Sequence, residues 1–245
     1  MAVDSNIVGY QLHDLKAGAN LMGVAWEGVT AVDGKIALSD MMDTTKLTSV
    51  NADGDVYGDY VQVWEIGSGW GNAYYYIDQP SWNYDDVDYS STWMDGNFQP
   101  CNPEIAAGQA FWLFLKTDVN NFPFKGQVAE NGVITVLSSG PNLIANPLPR
   151  TINLADHAAV TIIGATSVNV DGDVYGDSIQ TWELGSGWGN AFYFVNQPSW
   201  NYDAVDYTNT WMDGEFMPGV ALVSAGSGFW YFAENSGVEI TFKGL

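Results

Sequence analysis

Asn51, Asp53, Asp55 and Asp59 fall within nine residues, NADGDVYGD, with glycines at 54 and 58. Oxygen-bearing side chains at alternate positions around a tight glycine turn suit a hard cation, because calcium takes about six to eight oxygen ligands, some of them backbone carbonyls. The same residues return 118 positions later as Asn169, Asp171, Asp173 and Asp177. Asp-Gly and Gly-Asp pairs also make good turns with no ion present. A plain turn would tolerate Asn or Ser at some of these places, yet all three aspartates stand in both copies. The spacing therefore predicts a calcium site in each loop.

The order Asn51, Asp53, Asp55 resembles the opening of an EF-hand or dockerin-type calcium loop. It departs from that pattern in two ways: the glycine sits between the second and third ligands, and Gln62 stands where the bidentate Glu of the twelfth position would fall. A second acidic group, Asp85, Asp88 and Asp95, recurs as Asp203, Asp206 and Asp213 and is a weaker metal candidate; Asp86 beside it becomes Ala204. Between the acidic groups lies QPSWNYD, residues 79–85 and again 197–203. Its Pro, Ser, Asn and Asp mark a loop. A Trp and a Tyr kept in a loop, Trp82 and Tyr84 with Trp200 and Tyr202, are the sequence's candidate platform for stacking on a sugar.

Catalysis is not expected. Glu65 and Glu183 recur beside Trp64 and Trp182, but each sits inside a predicted strand, once per copy, whereas a glycosidase pair shares one cleft. His13 and His157 do not correspond between the copies, and no serine or cysteine has a matched base. The single Cys101 corresponds to Gly219, gives no disulfide framework and reads as a buried or incidental thiol.

The loops must be positioned by a duplicated scaffold. Val50–Gln99 aligns with Val168–Met217 without a gap, and 14 of the 50 positions differ. AAGQAFWLF (106–114) aligns with SAGSGFWYF (224–232), and AGANLMGVA (17–25) more weakly with SGPNLIANP (139–147). One unit is thus expected over residues 6–126 and a second over 127–245, with the short connection implying close packing between them. Strands are predicted at 7–15, 20–25, 60–66, 73–77, 110–116 and 122–126, with GSGWGN as a hairpin connection and a short helical turn over 38–46 capped by Ser39. Tyr74 and Tyr76 become Phe192 and Phe194 while Tyr75 stays as Tyr193, which places the first pair in a core and the middle residue on the opposite face. Trp64, Trp70, Trp82, Trp93 and Trp112 all recur 118 positions on, mostly as core and turn packing; Trp26 alone in its unit does not.

The totals agree with an all-β protein of two tandem homologous units, each a β-sandwich or barrel: 27 glycines, abundant aromatics and few long polar helix formers. Seven basic residues against 29 acidic ones give a net charge of -22, which repels phosphate backbones and anionic lipid headgroups, so nucleic acid is excluded as a partner. That charge also favours bound cations or a salty medium. No apolar run is long enough to span a membrane as a helix. The start MAVDSNIVGY reads as a mature N-terminus left after removal of a secretion signal.

NIVGY near the start, NLMGVA after a glycine turn, the segment GDYVQVW and AGQAFWLF resemble a group of secreted bacterial repeat proteins of the planctomycete and verrucomicrobial lineages. The resemblance implies export, a β-rich fold and a cell-surface or matrix setting, and supplies no catalytic residues. The resulting expectation is a secreted, calcium-stabilised structural protein of a surface layer, matrix or filament, self-associating head to tail. A polysaccharide-binding module on the loop Trp and Tyr residues is the alternative.

Overall fold

A computed structural model describes residues 8–25, 35–50, 58–80, 87–127, 132–168, 176–183, 186–198 and 205–244. Strand accounts for 58% and helix for 4% of these described residues. The all-β expectation is met. In residues 8–127 the strands are β1 (Val8–Leu15), β2 (Gly18–Gly23), β3 (Lys35–Ala37), β4 (Tyr60–Glu65), β5 (Gly69–Gln79), β6 (Tyr89–Met94), β7 (Pro100–Cys101), β8 (Glu104–Ala106), β9 (Ala110–Leu115) and β10 (Val119–Gln127). In residues 132–244 they are β11 (Val133–Val136), β12 (Gly140–Ala145), β13 (Ile152–Asn153), β14 (Val160–Ile163), β15 (Ser178–Glu183), β16 (Gly187–Gln197), β17 (Tyr207–Met212), β18 (Leu222–Val223), β19 (Gly228–Ala233) and β20 (Glu239–Phe242).

Every sheet draws its strands from one of these two stretches. The large sheet of the first runs β2-β9-β4-β5-β6-β7, and that of the second β12-β19-β15-β16-β17. The small pairs β3-β8 and β13-β18 match likewise, and β1-β10 corresponds to β11-β20, to which β14 adds a third strand. Even the irregularities repeat. Bulges after Gln62 and Gln180 shift the register so that Trp64 faces Trp70 and Trp182 faces Trp188.

Several local expectations are refined by the structure. The strand predicted at 73–77 is β5, which starts at Gly69 because the GSGWGN glycines need a turn of only Ile66–Ser68; Gly67 and Gly69 take φ of 81° and 92°. The helical turn divides into α1 (Leu38–Met41) and a 3-10 turn (Thr44–Lys46). Ser39 caps neither: it lies inside α1 and its hydroxyl bonds Asn102, while Asp43 caps the second turn by accepting from the Thr45 amide. The alternation read at Tyr74–Tyr76 holds. Tyr76, Phe192 and Phe194 are buried in the cores, while Tyr75 and Tyr193 stack on Phe98 and Phe216.

The runs AFWLFL and GFWYFA show no polar alternation because both faces of β9 and β19 are covered. Phe111, Leu113 and Leu115 enter the core of the first half, and Phe229, Tyr231 and Ala233 that of the second. The opposite faces meet each other. Leu21, Trp64, Ala110 and Trp112 form one cluster with Leu143, Ala145 and Trp230, against which Trp182 packs. The contacts are reciprocal, as about an approximate two-fold axis. Trp64 stands edge-on to Trp230 and Trp182 edge-on to Trp112, both with ring centroids 4.8 Å apart. Gly23 N donates to Gly226 O, and the corresponding Ala145 N donates to Gly108 O, each at 2.8 Å. Near the axis the backbones come close enough to require glycine on one side. A Cβ on Gly23 would lie 2.6 Å from the Cβ of Ala145, and one on Gly228 would lie 2.8 Å from that of Ala110.

Candidate functional site: the roots of the acidic and aromatic loops

Asn51, Asp53, Asp55, Asn169, Asp171 and Asp173 lie outside the described residues, as do Trp82, Tyr84, Asp85, Trp200, Tyr202 and Asp203. What is described is the ground from which their loops rise. Asp59 follows the first acidic loop and is 1% exposed; Asp177 follows the second and is fully buried. Asp59 Oδ2 accepts from Thr48 N at 2.8 Å and Oδ1 from Lys116 N at 2.7 Å. Asp177 Oδ1 accepts from Glu234 N at 2.9 Å, and Oδ2 from the Tyr231 hydroxyl at 2.7 Å, an addition made where the first half carries Leu113.

These carboxylates close the loops at the neck. The Asp59 amide donates to Thr48 O and that of Val50 to Tyr76 O, so the strands entering and leaving lie side by side. The approach is so close that a Cβ on Gly58 would stand 2.3 Å from Val50 N, and one on Gly176 the same distance from Val168 N. Glycine is obligatory at both positions. The described chain thus stops at Val50 and resumes at Gly58 across one pinched neck, and stops at Val168 and resumes at Gly176 across another, with seven residues between in each case. Asp59 and Asp177, expected as ligands, have both oxygens engaged in this closure.

Burial holds the carboxyls of Asp59 and Asp177 above the ordinary carboxylate range, outweighing the hydrogen bonds that pull them down. The described members of the second acidic group cap turns. Asp88 Oδ1 accepts from the Ser90 amide and hydroxyl, and Asp206 does the same for Thr208. Asp95 Oδ1 accepts from Asn97 N and Gln99 N, and Asp213 Oδ1 from Glu215 N and Met217 N. Among the described residues no three His, Cys, Asp or Glu gather as a metal would require.

The structure brings together two features that the sequence separates by nearly thirty residues. Gln79 Nε2 donates to Val50 O at 2.7 Å and Asp78 N to Ser49 Oγ at 2.8 Å. In the second half Gln197 Nε2 donates to Val168 O and Asn196 N to Ser167 Oγ. The acidic loop leaves directly after Val50, and the loop bearing Trp82 and Tyr84 directly after Pro80. Their roots are laced to one another at one corner of each half. Ser49, Gln79 and their counterparts were legible only as repeated letters: TSV stands at both 48–50 and 166–168.

Of the tryptophans, Trp93 and Trp211 fill the two cores, and Trp64, Trp70, Trp112, Trp182, Trp188 and Trp230 gather between the halves. Cys101 is partly buried, which with nearby Asp95 pushes its thiol up and away from reactivity. No helix is long and apolar enough to cross a membrane among the described residues. A scan of family models, a search of curated proteins and a search of solved structures find no match to this chain.

Proposed function

We propose that the chain is a non-catalytic structural protein of an extracellular surface or matrix. Each half holds a calcium ion in its acidic loop and a polysaccharide strand on the aromatic loop beside it. The observation that carries this reading is the lacing of the two loop roots, Val50 to Gln79 and Val168 to Gln197, in both halves. A neck pinched at Gly58 and Gly176 supports the calcium half of the reading, since like charges crowded into a seven-residue loop repel unless a cation offsets them. Asn51, Asp53 and Asp55, with Asn169, Asp171 and Asp173, would hold it; the ion would supply charge neutralisation and a fixed loop shape. Loops of so few charges fit the affinity of extracellular calcium modules, with Kd on the order of 0.1 to 1 mM. Beside such a loop, Trp82 with Tyr84 and Trp200 with Tyr202 would stack on sugar rings. Two corners on one chain would add avidity and let it bridge polysaccharide strands.

A panel of acidic and neutral polysaccharides in affinity electrophoresis tests this. Retardation is expected in millimolar calcium, at least tenfold weaker in EDTA, and abolished by the double change Trp82→Ala with Trp200→Ala. Retardation unaffected by both treatments, or none with any polysaccharide, would remove the glycan part.

Self-association has one observation in its favour. Ile134 and Val136 on β11 and Ile163 on β14, the two outer strands of their sheet, are exposed at 63%, 57% and 59%, and open edges of this kind template strand pairing. Sedimentation in the same two buffers reads it: assemblies support propagation through these edges, a monomer at high concentration opposes it.

A further inference from the structure

We propose that a hollow on the outer face of the first half's large sheet binds one saccharide unit that carries a carboxylate, of the uronic-acid class. Alternation along the strands builds it. On β4, Val61 and Val63 turn into the core, so Tyr60 and Gln62 stand on the opposite face. The register sets Tyr75 of β5 and Phe114 of β9 on either side of Tyr60, and Ala73 beside Gln62. Lys116, two residues beyond Phe114, is exposed just past the end of β9. Tyr60, Gln62, Ala73, Tyr75 and Lys116 line a hollow of about 480 Å³, inside the range of small-molecule sites. None of these residues belongs to the acidic or aromatic loops.

The wall is fixed before any ligand arrives. The Tyr60 and Tyr75 rings lie 5.6 Å apart, and each is backed by another ring: Phe114 stacks on Tyr60 at 4.4 Å and Phe98 on Tyr75 at 5.5 Å. Rings held in this way lose little freedom on binding. Tyr60, Gln62 and Tyr75 are half-buried, and neither tyrosine hydroxyl nor the Gln62 amide hydrogen-bonds to another described residue. Burial, with Tyr75 adding to it, raises the pKa of the Tyr60 hydroxyl, which therefore keeps its proton to donate.

The second half supplies the comparison. Gln180, Ala191, Tyr193, Phe216 and Phe232 repeat Gln62, Ala73, Tyr75, Phe98 and Phe114, but Ser178 replaces Tyr60 and Glu234 replaces Lys116. Ser178 pairs with Tyr193 and Phe232 in the same register. The same sheet thus forms with a small hydroxyl and an acid at these places. Tyr60 and Lys116 answer no demand of the fold, and both exchanges fall at one hollow, where one of them reverses the charge.

The wall names the ligand's chemistry. Ring surfaces take the C–H groups of a pyranose, and the two phenols with the Gln62 amide donate to and accept from its hydroxyls. Among the described residues that line the hollow, Lys116 alone is charged, in a chain with 7 basic residues against 29 acidic ones. A carboxylate on the sugar gains a charge-assisted hydrogen bond there, whereas an ammonium group is repelled. Glu234 makes the second half repel the same ligand.

Amide NMR titration of the full chain in EDTA, with glucuronate and galacturonate against glucose, galactose, acetate and putrescine, tests the assignment. At least one uronate is expected to shift the amides of Gln62, Ala73 and Tyr75, binding at least tenfold more tightly than any of the other four. Trp82→Ala with Trp200→Ala should leave this intact, which separates it from the loop corners. Tyr60→Ser with Lys116→Glu, the second half's own residues, should weaken the uronate at least tenfold. The reverse exchange, Ser178→Tyr with Glu234→Lys, should create a second site that shifts Gln180, Ala191 and Tyr193. Binding of neither uronate, binding of a neutral sugar, acetate or putrescine within tenfold of the uronate's, or uronate binding indifferent to either exchange in a folded variant would overturn the proposal.

Discussion

Asp59→Ala is expected to lower the folding stability by about 2 to 4 kcal/mol, and Asp177→Ala by at least as much. Removing Asp59 leaves the amides of Thr48 and Lys116 without acceptors in a site that is 1% exposed, and each orphaned buried donor costs about 1 to 3 kcal/mol. Relief of the buried charge returns part of that. Asp177→Ala orphans the Glu234 amide and the Tyr231 hydroxyl, whose residue is fully buried. Urea unfolding in metal-free buffer reads both, and a loss under about 0.5 kcal/mol for either would contradict the pinning role.

The same residues set a pH dependence. Burial holds both carboxyls above the usual value of 3.8, so the folded chain takes up these protons more readily than the unfolded one. Their contribution is fully present below the unfolded pKa and is lost as pH rises through the folded pKa. Metal-free protein should therefore gain stability as it is acidified from neutrality, helped by relief of the -22 net charge. The slope should be shallower in Asp59→Ala with Asp177→Ala; equal slopes would show that other groups titrate.

Trp112→Ala and Trp230→Ala carry the other large effect, about 3 to 5 kcal/mol each. Both side chains are more than nine-tenths buried, and each meets two tryptophans of the opposite half: Trp182 and Trp188 around Trp112, Trp64 and Trp70 around Trp230. The reciprocal geometry predicts similar losses for the two. It also predicts that calorimetry, which should show one transition for the parent chain, shows two for either variant as the halves uncouple. Trp70→Ala, at a site 48% exposed, should cost about 1 kcal/mol or less. A single unbroken transition in Trp112→Ala would mean that the tryptophans do not join the halves.

The strands were legible as short runs rich in aromatic and aliphatic residues, as at Ala110–Leu115 and Tyr60–Glu65. The repeat made the correspondence of strands between the halves readable as well. The pairing of the halves was not. The same Trp64 and Trp112 fit burial within one unit or between two, and only the register shift after Gln62 and the close approach at Gly23 decide it. Spacing put Asp59 among the oxygen ligands but could not show that each of its oxygens also accepts a backbone amide. Lacing of the acidic and aromatic loops rests on Gln79 reaching Val50, a contact between residues that no periodicity relates.

Titrating metal-free protein with calcium in a calorimeter bears most directly on the role given to the acidic loops. Two ions per chain are expected, falling to one when Asp53 and Asp55 are both changed to alanine and to none when Asp171 and Asp173 are changed as well. No bound calcium at millimolar concentration, or a stoichiometry indifferent to those four aspartates, would contradict it.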